Sequence, residues 1–271
     1  MIKLKNFTIW VRRLWVAASI PLELLDTYFP KVIERALPIE LVLKAEVLDG
    51  LTFSDFKKWA KKLKDSGINL TVHLPFMDLS LAALDPWVRK VSLLRLFQGM
   101  KVASLFEPKV CVFHSGYHQD YHREHKEKWR QVFIEEALSA ILNLAEELSL
   151  TLALENTFEP TPDFLRPVFE AYEGRLYWCF DPGHAKVFSK ADELSWLDKL
   201  SSYLIEMHCH DNLGEFDDHI PLGEGVVRFQ EIFQALKQQK KEVFFTVEAR
   251  SEEAFLKSFS FIIKLWGLEN Y

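Results

Sequence analysis

Strand-length runs of apolar residues recur along the chain, and segments with the apolar spacing of one helical face separate them. The runs predict eight β-strands near Leu14–Ser19, Glu40–Glu46, Asn69–His73, Val110–His114, Thr151–Glu155, Tyr177–Asp181, Ile205–His208 and Phe244–Glu248. A helix is expected after each strand. This order requires parallel strands joined by crossover connections.

Three segments carry clear helix signals. Phe56–Leu63 places four apolar residues on one helical face, and Gly67 follows as a stop signal. The same spacing returns in Phe229–Leu236. Asp85 followed by Pro86 predicts a helix N-cap with proline in the first helical position.

The number of strand–helix units predicts the architecture. Eight units suit a closed barrel better than an open sheet, and a barrel of roughly 250 residues is commonly one domain. The chain has 271 residues and no Gly/Ser-rich linker. We therefore predict an α/β protein with a single (β/α)₈ TIM barrel over residues 1–271, in which residues 1–12 form an N-terminal extension.

The composition and net charge of the chain restrict the classes of function that it can have. Apolar residues make up 49% of the chain, which provides a large core and disfavours disorder. The net charge of −6 gives no support for a nucleic-acid surface, although a local basic groove is compatible with it. Three cysteines without CxxC spacing indicate buried free thiols. Without a secretory signal or a membrane-length apolar run, a cytoplasmic protein is expected.

Six of the predicted strands end in a side chain that can bind a metal ion. These residues are His73, His114, Glu155, Asp181, His208 and Glu248. In such a barrel, the carboxyl ends of the strands form the active-site face. One histidine at a strand end is more often structural, but six converging residues favour a site. A buried carboxylate needs a partner, and a cation supplies one.

Three further candidate ligands lie near these strand ends. His184 follows Asp181 by three residues, and Asp217 and His219 share the loop before Leu222–Gly225. Imidazole and carboxylate ligands without thiolate suit Zn²⁺, Mn²⁺ or Fe²⁺. Because a catalytic ion takes about three or four protein ligands, the nine candidates predict two or three divalent ions per chain.

Seven strings of the sequence resemble the endonuclease IV and xylose isomerase-like TIM-barrel superfamily. They are VHLPF (72–76), FHSG (113–116), LENT (154–157), FDPGH (180–184), MHCHDN (207–212), DDH (217–219) with LGEG (222–225), and VE (247–248). The resemblance runs from about residue 70 to residue 250.

Resemblance to endonuclease IV implies three ions. The implied ligands are His73, His114 and Glu155 for the first; Glu155, Asp181, His208 and Glu248 for the second; and His184, Asp217 and His219 for the third. In that family the ions activate water and stabilise charge on a phosphate. A multinuclear phosphoester hydrolase, most like a phosphodiesterase, is therefore the first functional expectation.

The sugar isomerases and epimerases of the superfamily give the main alternative. They imply one ion of the Mn or Zn type, bound by residues like Glu155, Asp181, His208 and Glu248. Glu155 and Glu248 would also move the proton next to the carbonyl, and His184 would orient the substrate. The hydrolase is favoured here because one ion has no obvious need for the five remaining residues. A barrel that binds metal or ligand without turnover is a third alternative.

Four more residues are candidates for contacting substrate or orienting a ligand. Strand alternation places His208 and His210 on the same side, and motif register assigns the ligand role to His208, with His210 behind it or as its substitute. Asn156 and Asp211 are candidates for hydrogen bonds to a ligand or to substrate. His118 lies in the loop described next.

Two loops are candidate substrate contacts. The loop Tyr117–Arg130 is a candidate for contacting an anionic substrate, although a solvated loop and helix start explains its side chains equally well. The candidate side chains are His118, His122, Arg123, His125, Lys126 and Lys128. Pro75–Trp87 is unusually apolar and would form a lid, a substrate wall or a packing surface.

We expect a small phosphorylated or sugar-like substrate, with DNA as an alternative that the charge does not support, and no membrane partner. The oligomeric state stays open.

Overall fold

The computed structural model describes residues 14–267, whose eight parallel strands close into a barrel in chain order. The strands are β1 Val16–Pro21, β2 Ile39–Val42, β3 Leu70–His73, β4 Cys111–His114, β5 Leu152–Glu155, β6 Leu176–Phe180, β7 Leu204–Cys209 and β8 Phe244–Val247. Strand β8 pairs with β1 and closes the barrel. The predicted (β/α)₈ TIM barrel is thus confirmed. The extension predicted at residues 1–12 lies outside the described residues.

Helices surround this barrel. They span Leu25–Arg35, Ala45–Gly50, Phe53–Asp65, Pro86–Ala103, Arg123–Val132, Ser139–Glu147, Pro162–Ala171, Pro182–Phe188, Glu193–Leu200, Phe229–Gln238 and Glu252–Trp266. Short 3₁₀ turns lie at Leu22–Leu24, Ser104–Phe106 and Ser201–Tyr203, and a π-helical turn at Phe133–Leu138 joins two of the helices. Within residues 14–267, no helix has the length and apolar character that crossing a membrane requires.

The helix signals in the sequence are confirmed. Asp85 accepts hydrogen bonds from the backbone N–H groups of Trp87 (2.8 Å) and Val88 (3.2 Å), as an N-cap does. The helix Phe53–Asp65 begins with a capping box between Thr52 and Asp55.

Seven strands lie within two residues of their predicted positions, and β2 is the exception. The predicted strand Glu40–Glu46 is wrong at its carboxyl end, because the observed strand stops at Val42 and the helix Ala45–Gly50 follows. This short helix buries Val47 and Leu48. Apolar residues that would continue a strand pack here on one side of a helical turn.

The interior of the barrel below its mouth contains acidic residues. Glu40 and Glu206 are fully buried. Glu206 accepts hydrogen bonds from Thr246 (2.7 Å) and Thr71 (3.1 Å). Burial and the charge of Glu40 raise the pKa of Glu206 to about 8. The three cysteines are buried free thiols, as the sequence predicts.

Candidate metal centre

The barrel brings the six strand-end residues to one face, because every strand runs in the same direction. His73, His114 and Glu155 are the last residues of β3, β4 and β5, and His208 is the penultimate residue of β7. Asp181 directly follows β6, and Glu248 directly follows β8. Because these residues end parallel strands, they all lie at the mouth of the barrel.

Glu155 lies at the centre of this group. Its Oε2 atom is 3.2 Å from His73 Nε2, 3.0 Å from His114 Nε2 and 3.2 Å from His208 Nδ1. Its Oε1 atom is 3.0 Å from His184 Nδ1. One carboxylate thus lies within ion-pair distance of four imidazoles.

The charges of this group are strongly coupled. Burial alone would raise the pKa of Glu155, but the charges of His208 and His114 and the hydrogen bonds of His114 and His184 hold it well below its ordinary value. Burial alone would lower the pKa of His208, yet the charges around it, including those of Glu155 and Glu40, raise that pKa well above the usual range. Glu155 is therefore an anion at neutral pH.

A second group of candidate ligands adjoins the first and contains His184, His210, Asp217 and His219. Asp217 Oδ2 lies 3.1 Å from His219 Nε2 and 3.4 Å from His184 Nε2, and Asp217 Oδ1 lies 3.5 Å from His210 Nδ1. The rings of His210 and His219 stack with centroids 3.8 Å apart. One ligand atom from each of the four residues lies within 4.8 Å of the others.

Asp211 orders the loop that carries Asp217 and His219. Its buried carboxylate accepts hydrogen bonds from the backbone N–H groups of Gly223 (3.0 Å), Gly225 (3.1 Å) and Val227 (3.1 Å). A Cβ atom at Gly225 would lie 2.3 Å from Asp211 Oδ1, so this close approach requires glycine. The role we infer for Asp211 is to fix this loop, and its contacts are backbone amides of the loop itself.

Asn156 joins the ends of β5 and β6. Its Oδ1 atom accepts hydrogen bonds from Asp181 N (3.0 Å) and Trp178 Nε1 (3.1 Å), and its Nδ2 donates to Asp181 O (2.7 Å). His184 Nδ1 lies 3.1 Å from the backbone oxygen of Asn156. Asn156 therefore helps to position Asp181 and His184.

The two candidate loops differ in what they contribute. In Pro75–Trp87, Phe76 packs against His73 and His114 with ring centroids 4.8 and 4.6 Å apart, so this loop starts as a wall of the site. In Tyr117–Arg130, the helix Arg123–Val132 takes up the second half. The His118 side chain is 70% exposed and lies 3.5 Å from Asp120. This segment is therefore well described as a solvated loop followed by the start of a helix.

Comparison with known families agrees with this architecture. A family model described as "Xylose isomerase-like TIM barrel" matches residues 39–265. The chain belongs to the xylose isomerase-like TIM-barrel family. The superfamily expected from the seven sequence strings is thereby confirmed.

Several relatives of this xylose isomerase-like chain are known. The TTHB071 protein from Thermus thermophilus, solved after soaking with ZnCl₂, is 31% identical, with a TM-score of 0.81 and coverage of 94% of this chain and 99% of that one. A D-tagatose 3-epimerase-like protein shares the fold at 23% identity and a TM-score of 0.77, with coverage of 94% and 98%. The uncharacterized protein MJ1311 of Methanocaldococcus jannaschii is 27% identical over 216 residues, which are 74% of this chain and 71% of that protein.

The donor atoms of this xylose isomerase-like barrel fit a divalent cation. His208 Nδ1, His210 Nδ1 and Asp217 Oδ1 are buried and have no hydrogen-bond partner. A buried polar atom without a partner is destabilising, and bound cations would satisfy all three atoms. The structure brings together all nine predicted ligands and adds His210. Their roles as ligands stay predictions.

Glu40 also belongs to the site, although the sequence did not reveal it. Its Oε2 atom lies 3.2 Å from His208 Nε2, and both side chains are fully buried. A proton on Nε2 donated to Glu40 leaves Nδ1 free to face Glu155 and Glu248. The only sequence signal is an acidic residue inside the apolar run Ile39–Val42.

We expect Glu40→Gln to weaken divalent-metal binding by about 10- to 100-fold, because an amide does not hold the His208 tautomer as a carboxylate does. Isothermal titration with Zn²⁺ and Mn²⁺ measures this change. Glu46→Gln is the matched control, since Glu46 is exposed on the helix after the same strand. Equal affinities in the two variants would contradict the role assigned to Glu40.

Proposed function

We propose that this protein is a divalent-metal-dependent isomerase or epimerase that acts on a sugar or a sugar phosphate. The observation that carries the proposal is a pair of carboxylates at one point of the barrel mouth. Glu155 Oε2 and Glu248 Oε1 lie 3.2 and 3.7 Å from the same atom, His208 Nδ1. Two carboxylates of this kind can remove and return a proton next to a carbonyl group.

The residues that would hold the ion are Glu155, Asp181, His208 and Glu248, in agreement with the resemblance to sugar isomerases. When bound there, a divalent ion polarises the carbonyl group of a sugar and the neighbouring hydroxyl. The names of similar structures support the same chemistry. They include the D-tagatose 3-epimerase-like protein and a D-psicose 3-epimerase from Clostridium cellulolyticum, solved with D-tagatose.

The protein side chains have distinct parts in this proposal. Glu155 is held anionic by its histidine neighbours, so its carboxylate is deprotonated, as a metal ligand and a base must be before reaction. The Glu248 side chain is 16% exposed, so it faces the mouth where substrate arrives. His184 is held between Glu155, Asp181 and Asn156, which suits it to orient a substrate hydroxyl. Phe76 keeps water away on the side of His73 and His114.

Incubation in D₂O tests the proposal. The metal-loaded protein is given a panel of 2-ketohexoses, 2-ketopentoses and their phosphates, and NMR follows deuterium at the carbons next to the carbonyl. We expect deuterium incorporation and a new isomer or epimer for at least one member of the panel. Glu248→Gln should abolish both while retaining a bound ion. Exchange that persists in Glu248→Gln would contradict the two-carboxylate mechanism.

A multinuclear phosphoester hydrolase is the second candidate. The observation that favours it is the number of donors, because His73 and His114 share Glu155 and a separate group of four lies beside them. Assays with bis(p-nitrophenyl) phosphate and abasic-site DNA separate the candidates. Replacing His114 by Ala should abolish phosphodiesterase activity. Failure of both assays, with ions still bound, would favour a barrel that binds without turnover.

A further inference from the structure

We propose that the outer face of the helix Pro86–Ala103 is an interface at which two copies of this chain form a twofold-symmetric dimer. This face carries an apolar stripe, which consists of Trp87 (73% exposed), Val88 (50%), Val91 (63%) and Leu94 (57%). Contiguous apolar surface of this kind is uncommon on a monomer and marks a contact with a partner. This inference is independent of the reaction proposed above.

The stripe exists because this helix is apolar on two sides. Trp87, Val91 and Leu94 follow one another at helical spacing and therefore share one side. The opposite side, which includes Met100, is buried against the barrel. An outer helix is usually apolar only on the side that faces the core. The helix Phe53–Asp65 follows that rule, because lysine is the commonest residue at its exposed positions.

The area of the stripe suits a stable dimer. Its four residues together expose roughly 450 Å² of largely apolar surface, taking about 150–250 Å² for each whole residue. A standard interface buries about 800 Å² on each partner, and about 65% of a homodimer interface is apolar. The stripe therefore supplies most of the apolar area that such an interface needs, and its polar borders supply the remainder.

The two borders of the stripe carry opposite charges. Lys90 and Lys101 lie along one border, and neither pairs with a carboxylate in the part of the chain that the structure describes. The other border is the helix Ala45–Gly50, which has two acidic residues and no basic residue. Arg95 holds this short helix beside the stripe, because its guanidinium lies 2.7 and 2.9 Å from the two carboxylate oxygens of Asp49.

These charged borders favour a second copy of this chain as the partner. When the twofold axis runs nearly parallel to the helix, the lysine border of each copy faces the acidic border of the other, and each stripe residue meets its own counterpart. An axis perpendicular to the helix would instead bring the lysines of the two copies together. An anionic membrane would attract the lysine border but repel the acidic one.

The stripe adjoins the loop that begins as a wall of the metal centre. Arg89 donates a hydrogen bond to the backbone oxygen of Ala83 (2.6 Å), and Ser92 Oγ accepts one from the backbone N–H of Ser80 (3.0 Å). These two hydrogen bonds fasten the loop Pro75–Trp87 to the first turns of the helix. A partner packed against the stripe would therefore also restrain this loop.

The mass of the full chain in solution tests the proposal. Sedimentation velocity and light scattering at micromolar protein concentration should give twice the mass of one chain. Leu94→Glu should give a monomer, because it places a charge inside an apolar contact. Trp87→Ala should raise the dissociation constant by about 10-fold or more. Ile33→Glu is the matched control, because it puts the same charge at an exposed apolar position of the helix Leu25–Arg35, and it should remain a dimer.

A cysteine placed in the stripe tests the symmetry. The three native cysteines are buried, so Val91→Cys adds an accessible thiol near the twofold axis. Mild oxidation with diamide should join two copies of Val91→Cys into a covalent dimer that a reducing agent separates, whereas Ile33→Cys should stay uncrosslinked. Thermal unfolding shows that each variant is folded.

Two results would overturn the proposal. The first is wild-type protein that has the mass of one chain at these concentrations, whether or not it sediments with phosphatidylglycerol vesicles. The second is a dimer that persists in a folded Leu94→Glu variant, because the interface would then lie on another surface.

Discussion

Glu155→Gln is expected to lower turnover by about 10³-fold or more, the largest effect of any single change at the mouth. The carboxylate of Glu155 lies within 3.2 Å of His73, His114 and His208. An amide removes both the anion that a cation needs and the base that accepts the proton. Activity on the substrate found by deuterium exchange and metal content per chain measure the two losses.

The control for this variant is Glu147→Gln, which makes the same chemical change at an exposed position of the helix before β5. Thermal unfolding shows whether each variant is folded. Turnover at the wild-type rate in a folded Glu155→Gln variant would contradict the assignment of this carboxylate.

Metal affinity is expected to rise steeply between about pH 6 and pH 9, by about tenfold per pH unit for each proton that the ion displaces. Burial favours the neutral form of His184, but the charge of Asp181 and hydrogen bonds to Asp217 and Glu155 raise its pKa well above the usual value. Burial has the same effect on His219, and contact with Asp217 and Glu248 raises its pKa to about 9. These imidazoles carry protons at neutral pH that a bound cation must displace.

The metal-free protein should respond to pH in the opposite sense. A histidine with a raised pKa stabilises the fold at a pH below its unfolded value near 6.5, and this contribution is lost as the pH rises through about 9 for His219. Titration calorimetry in buffers of different ionisation enthalpy counts the released protons, and thermal unfolding follows the metal-free protein. Equal affinities at pH 6 and pH 9 with no proton release would show that the imidazoles are not ligands.

The fold and the positions of the nine candidate ligands follow from the sequence because a parallel barrel converts strand order into spatial order. A polar residue that ends an apolar run must lie at the mouth, as His73 and Glu155 do. Neither a long-range contact nor a side-chain direction is needed for that inference. The short β2 was the strand placed least well, because its apolar residues continue into the helix Ala45–Gly50.

The parts of the site that the sequence did not predict are contacts between particular side-chain atoms, which form only in the folded barrel. Alternation puts His208 and His210 on the same side of β7, but it does not show that His208 contacts Glu155 whereas His210 contacts Asp217. Glu40 lies in an apolar run and meets His208 across the barrel, 168 residues away in the chain. Asp211 is surrounded by polar neighbours in the sequence, and only the folded loop shows that backbone amides occupy its carboxylate.

Metal content per chain decides whether the strand ends form a centre for divalent ions. The protein is purified without chelators or added metal, and zinc, manganese and iron are measured by elemental analysis against protein concentration. We expect at least one ion per chain, bound in the centre around Glu155. Protein that contains no stoichiometric metal and takes up none from Zn²⁺ or Mn²⁺ at pH 8 would show that the strand ends are not a metal centre.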